Sequence, residues 1–141
     1  MSEIEIKREE GAHRFAVTQR NAQLLVASND KAVQEVLSRI LSLLGYEVTA
    51  AENGLEAATH FFTVAYDLVL TDLQMPLMNG WELSRLVKER SPTTPVIVVT
   101  GFCDDAHWEK MAMNTVDAIV TKPFKVKEID KTIQNLLSGA A

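Results

Sequence analysis

Asp72 closes an apolar run, Leu68-Val69-Leu70, and loop residues follow it closely, Met75-Pro76 and Asn79-Gly80. The run has the length and composition of a strand buried on both faces. A carboxylate at the carboxyl end of such a strand stands where open α/β sheets place their ligands. Other polar groups close similar runs: Ser28-Asn29-Asp30 after Gln23–Ala27, Thr100 after 95–99, and Lys122 after 116–121. A carboxylate can attack phosphorus and become an acyl phosphate. That chemistry asks for charge neutralisation on the phosphoryl oxygens more than for a strong base. Lys122 offers a mobile ammonium and Thr100 a hydroxyl donor. A hard cation such as Mg²⁺ normally completes a site of this kind through oxygen ligands. A lone Asp would only cap a turn; four polar clusters on one rim carry the chemical reading.

The elements that bring these groups together follow from the pattern of apolar residues. Strands are predicted at 23–27, 46–51, 67–72, 95–99 and 116–121. Between and after them, apolar residues recur at helical spacing. The first helix carries Val33, Val36, Leu37, Ile40, Leu41 and Leu44, and Gly45 stops it. Asn53-Gly54 is read as a turn, followed by a second helix through Leu55, Ala58 and Phe62 that ends near Ala65. Leu83, Leu86 and Val87 mark the third, with Trp81 off the stripe at the loop edge. Trp108, Met111, Ala112 and Thr115 mark the fourth, and Val126, Ile129, Ile133, Leu136 and Leu137 the last. Five strands alternating with five helices call for a parallel sheet covered on both faces, joined by right-handed crossovers. Residues 1–21 are polar and read as a loosely held leader, a short element at 13–18 being the alternative; residues 22–141 form the domain.

Bulk properties narrow the class. The formal net charge of −5 argues against direct nucleic-acid binding, which needs a basic surface. One cysteine, Cys103, excludes an internal disulfide and suits the cytoplasm. No segment approaches the apolar length of a membrane span. Cys103 lacks a partner thiol, and Asp104-Asp105 beside it work against a reactive thiolate. His13, His60 and His107 show no metal-ligand spacing.

D-L-Q-M-P-L-M-N-G, from Asp72 to Gly80, resembles the D-x-x-M-P-x-M-x-G run of response-regulator receiver domains. V-V-T-G at the fourth strand and T-K-P-F at the fifth extend the resemblance over residues 23–137. It implies a flavodoxin-like doubly wound sheet with strand order 2-1-3-4-5. It also implies Asp72 as phosphoacceptor, Thr100 and Lys122 as phosphoryl contact and switch residues, and a cis Lys122-Pro123 peptide. The implied Mg²⁺ ligands are Asp72, the backbone carbonyl of Gln74, and Asn29 or Asp30. The implied partners are a histidine kinase or phosphotransfer protein and a downstream protein docking on the fourth helix, fifth strand and last helix. A homodimer would use the same face.

Two positions depart from the family pattern. Ser28 and Asn29 stand where the family carries an acidic pair for Mg²⁺, so two negative charges have left the metal site. Asp30 is either a substitute ligand or a helix cap. Ile119 stands where an aromatic switch partner of the threonine is usual. The second reading is therefore a pseudo-receiver, a binding module that works without phosphorylation. A dehalogenase-like phosphatase needs a second carboxylate two residues after Asp72, where Gln74 stands. A flavodoxin needs a Ser/Thr/Gly-rich phosphate loop after the first strand, and none follows.

Overall fold

The computed structural model describes residues 21–101 and 116–139. Its parallel sheet has five strands: β1 (Gln23–Ala27), β2 (Glu47–Ala51), β3 (Leu68–Asp72), β4 (Val96–Thr100) and β5 (Ala118–Thr121). Their order is β2-β1-β3-β4-β5. Four helices lie among the described residues: α1 (Lys31–Leu43), α2 (Gly54–Thr63), α3 (Gly80–Arg90) and α4 (Val126–Leu137). The helix expected around 108–115, with Cys103 and His107, lies outside the described residues, as do His13 and the leader to residue 20. Among the described residues no helix is long and apolar enough to cross a membrane.

Side chains alternate across each strand, so one sequence feeds two cores. Leu25, Val69 and Val98 pack with Ala58 and Phe61 of α2 and Leu83 and Val87 of α3. Leu24, Leu70 and Val99 pack on the other face with Leu37 and Leu41 of α1 and Ile129 and Ile133 of α4. β3 and β4 are buried at every residue, as their continuous apolar runs require. The sheet-edge strands β2 and β5 are only partly buried.

Element ends differ from the predicted ones where local hydrogen bonds compete with the ladder. Tyr46 donates its N–H to Leu41 at the end of α1, so β2 begins at Glu47. The Asp117 carboxylate takes the Val96 N–H at 2.7 Å and Lys88 Nζ at 2.7 Å, and β5 begins one residue later. Asn53-Gly54 is a helix start rather than a free turn: the Asn53 side chain accepts the Glu56 N–H at 2.7 Å. Trp81 is not at a loop edge. It lies in the first turn of α3, where the Asn79–Glu82 capping box starts the helix, and is buried in the core.

Two backbone positions shape the β3–α3 loop. A Cβ on Gly54 would stand 2.1 Å from the Met78 carbonyl oxygen, so only glycine lets α2 approach the loop. Leu77 adopts φ 75° in the same loop, a left-handed conformation that disfavours a branched side chain. In chemical denaturation Gly54→Ala is expected to lower stability by about 2–3 kcal/mol through this clash. Leu77→Gly should raise it by roughly 0.5–1 kcal/mol, because relief of backbone strain exceeds the added chain entropy.

Candidate functional site

The register of β1 against β3 pairs Val26 with Leu70 and Ala27 with Thr71. One step further along both strands stand Ser28 and Asp72, side by side on the same face. The Ser28 hydroxyl donates to Asp72 Oδ2 at 2.5 Å, and both residues are buried. The other carboxylate oxygen, Oδ1, lies 3.4 Å from Lys122 Nζ, whose side chain remains about one-third exposed. A buried carboxylate costs several kcal/mol to desolvate unless it finds partners. Here one partner is a fixed hydroxyl and the other a mobile cation.

The backbone around Asp72 is held as firmly as its side chain. Leu73 N–H donates to Val99 at 2.9 Å, and Gly80 N–H donates to Leu73 at 2.7 Å. A Cβ on Gly80 would lie 2.6 Å from the Asp72 carbonyl oxygen, which explains glycine at the last motif position. Thr71 Oγ1 donates to that same carbonyl at 2.9 Å. On the far side, Lys122 N–H donates to the Thr100 carbonyl at 2.8 Å, tying the end of β5 to that of β4. The Lys122-Pro123 peptide is cis.

A cleft of about 500 Å³ opens over the carboxylate. Asn29, Asp30, Gln74, Thr100 and Lys122 line it with Asp72. Asp30 caps α1: its Oδ1 accepts the Val33 N–H at 3.2 Å, and its own N–H donates to Ser28 Oγ at 3.2 Å. Among the described residues, no group of three or more His, Cys, Asp or Glu side chains is placed to hold a metal ion. His60 sits on α2 with its Nε2 3.7 Å from Glu56. Ile119 packs, half-buried, against the core beneath α2 and α3.

Residues 24–134 match the family model described as the response regulator receiver domain. This chain belongs to that family. The receiver domain is 34% identical over 120 residues to the regulatory protein VanRB of Enterococcus faecalis, spanning 84% of this chain and 54% of that protein. It is 30% identical over 118 residues to the receiver protein CpdR of Brucella abortus, spanning 84% of this chain and 98% of that one. VanRB is typical of several longer relatives, of which this chain spans about half. The receiver domain of Francisella response regulator 1452 superimposes with a TM-score of 0.79 at 26% identity, covering 86% of this chain and all (100%) of that one. The receiver domain of sensor histidine kinase PA1611 from Pseudomonas aeruginosa, with magnesium coordinated in its active-site cleft, shares the fold at 23% identity. Its TM-score is 0.77, and the match covers 84% of this chain and 98% of that one.

The receiver fold thus brings Asp72, Thr100, Lys122, Asn29, Asp30 and Gln74 around one cleft. Sequence reasoning missed two contributions. Ser28 figured as a rim residue and a missing acid, with no contact assigned to it, yet it makes a 2.5 Å hydrogen bond to Asp72. Gln34 figured not at all, yet it is buried on α1 and its Nε2 donates to the Ala51 carbonyl at 2.9 Å and the Ser28 carbonyl at 3.4 Å. A glutamine one turn into an amphipathic helix, on the inward stripe, was the available signal. Gln34→Leu should strip the Ser28 carbonyl of its Nε2 donor and leave the Ala51 carbonyl with the Ser28 N–H alone. The expected loss is about 1–3 kcal/mol in a denaturation midpoint analysis.

Proposed function

We propose that this receiver domain accepts a phosphoryl group on Asp72 from a phosphohistidine and signals through a changed protein-binding face. The donor would be a histidine kinase or a phosphotransfer protein. The observation that carries the reading is the asymmetric hold on Asp72, with Oδ1 beside a mobile ammonium at the floor of an open cleft. Oδ1 attacks phosphorus, the new P–O bond forms, and the P–N bond breaks with its electron pair leaving on the imidazole. Lys122 then follows the charge from the carboxylate to the phosphoryl oxygens. Thr100, at the cleft wall, supplies a hydroxyl donor to the same oxygens.

The metal of the PA1611 domain does not transfer simply. Among the described residues Asp72 is the one buried carboxylate of the cleft, its Oδ2 is taken by Ser28, and Asp30 is engaged as a helix cap. Mg²⁺ prefers carboxylate and water ligands in octahedral geometry. Asn29, Asp30 and the Gln74 carbonyl are poor substitutes for an acidic pair, so Mg²⁺ binding here is weak. The output surface comprises β5, α4 and the fourth helix expected from the sequence at 108–115, and this is also the face for self-association. We place the exchange in the cytoplasm, which the single Cys103 suits.

Ile119 and the lost acidic pair at Ser28 and Asn29 favour a second reading, in which the fold acts as a binding module without phosphorylation. Incubation with a small phosphodonor, followed by intact mass measurement, separates the two. The wild-type protein should gain one phosphoryl group, and Asp72→Asn should gain none. Labelling of Asp72→Asn would remove Asp72 as the acceptor. An unlabelled wild-type protein would favour the binding-module reading.

A further inference from the structure

Ser28 is built into place from four directions. Its N–H donates to the Ala51 carbonyl at 3.0 Å, and its carbonyl receives Gln34 Nε2 at 3.4 Å. Its Oγ accepts the Asp30 N–H at 3.2 Å and donates to Asp72 Oδ2 at 2.5 Å. The carbonyl of Asp30 is a longer alternative acceptor at 3.3 Å, so the hydroxyl proton lies toward the carboxylate. An N–H feeding the same oxygen polarises it and strengthens its donation. Ser28 is 1% exposed, which leaves its hydroxyl no solvent to turn to.

The consequence for Asp72 is specific. A carboxylate flanked by other carboxylates needs a cation to relieve their repulsion. This one is flanked by a hydroxyl donor on Oδ2 and an ammonium on Oδ1, so both oxygens are satisfied by the chain itself. Resting on the phosphoacceptor reading, we propose that Ser28 takes the place of a divalent cation at Asp72. It fixes Oδ2 as the oxygen that becomes the acyl carbonyl and leaves Oδ1 to attack. Ser28 is a positioning residue: it touches the nucleophile and neither the phosphoryl donor nor its leaving group. Without it, the carboxylate swings toward Lys122 and presents the wrong geometry.

The test compares labelling rates from a small acyl phosphate, in chelator and in millimolar Mg²⁺, for wild type, Ser28→Ala, Ser28→Thr and Ser28→Asp. The wild-type rate should differ by less than about threefold between chelator and Mg²⁺, and Ser28→Ala in chelator should be about tenfold slower. Ser28→Thr, which keeps the hydroxyl, should restore most of that loss. Ser28→Asp should label in Mg²⁺ only. The thermal midpoint gives a second readout that needs no phosphoryl transfer. Mg²⁺ should raise it for Ser28→Asp by mass action and leave the wild type unmoved. Three results would overturn the proposal: Ser28→Ala as fast as wild type in chelator, Ser28→Thr no faster than Ser28→Ala, or a wild-type rate that rises about tenfold or more with Mg²⁺. If no protein takes label, the phosphoacceptor reading falls, and the thermal titration alone decides the role of Ser28. A flat wild type beside a responsive Ser28→Asp upholds it, and equal responses overturn it.

Discussion

A carboxylate buried at the end of the central strand is the constraint around which this domain is arranged. Asp72 is 5% exposed, and burial at that level is tolerable only with partners on both oxygens. Hydrogen bonds to a charged group contribute about 1.5–3 kcal/mol, twice or more the ordinary value. The Ser28 hydroxyl and the Lys122 ammonium supply those partners from strands on opposite sides of β3. The sheet order therefore is not only scaffolding. With β1 and β4 flanking β3, and β5 next to β4, the two partners arrive from two directions and leave the cleft open between them.

Much of the surrounding structure serves to keep that strand end still. Gly80 lets α3 start directly against the Asp72 carbonyl, and Gly54 lets α2 press on the same loop through Met78. The loop accommodates this with one left-handed residue, Leu77, whose side chain is 75% exposed and so bears strain without a packing reward. Gln34 performs the matching task on the other side, joining the ends of β1 and β2 beneath Ser28. The rigid backbone lets one mobile group, the Lys122 side chain, respond to charge arriving at the cleft.

The chemistry was more legible in the sequence than the contacts that position it. Asp72, Thr100 and Lys122 each follow an apolar run, so strand polarity alone gathers them on one rim. The sheet order came from family resemblance, since period-2 and period-3.6 patterns do not say which strands are neighbours. Ser28 was visible as a rim residue and as a departure from the acidic pattern; its bond to Asp72 depends on the β1–β3 register, which no local signal fixes. Gln34 looked like any polar residue on an amphipathic helix, because its partners are carbonyls of two other strands. Trp81 lies off the Leu83–Val87 stripe, in the first turn of α3, yet is buried with those residues in the same core. Element ends slipped by a residue or two where another hydrogen bond, such as Tyr46 N–H to Leu41 or Val96 N–H to Asp117, replaced a ladder bond.

A double-mutant cycle between Ser28 and Asp72 tests the central claim most directly. Ser28→Ala, Asp72→Ala and the double variant would be compared with wild type by urea denaturation. If the hydroxyl holds the buried carboxylate, the two losses are non-additive, with a coupling of about 1–3 kcal/mol. Losses that add to within about 0.3 kcal/mol would mean that the two side chains do not interact in solution, and would contradict the account.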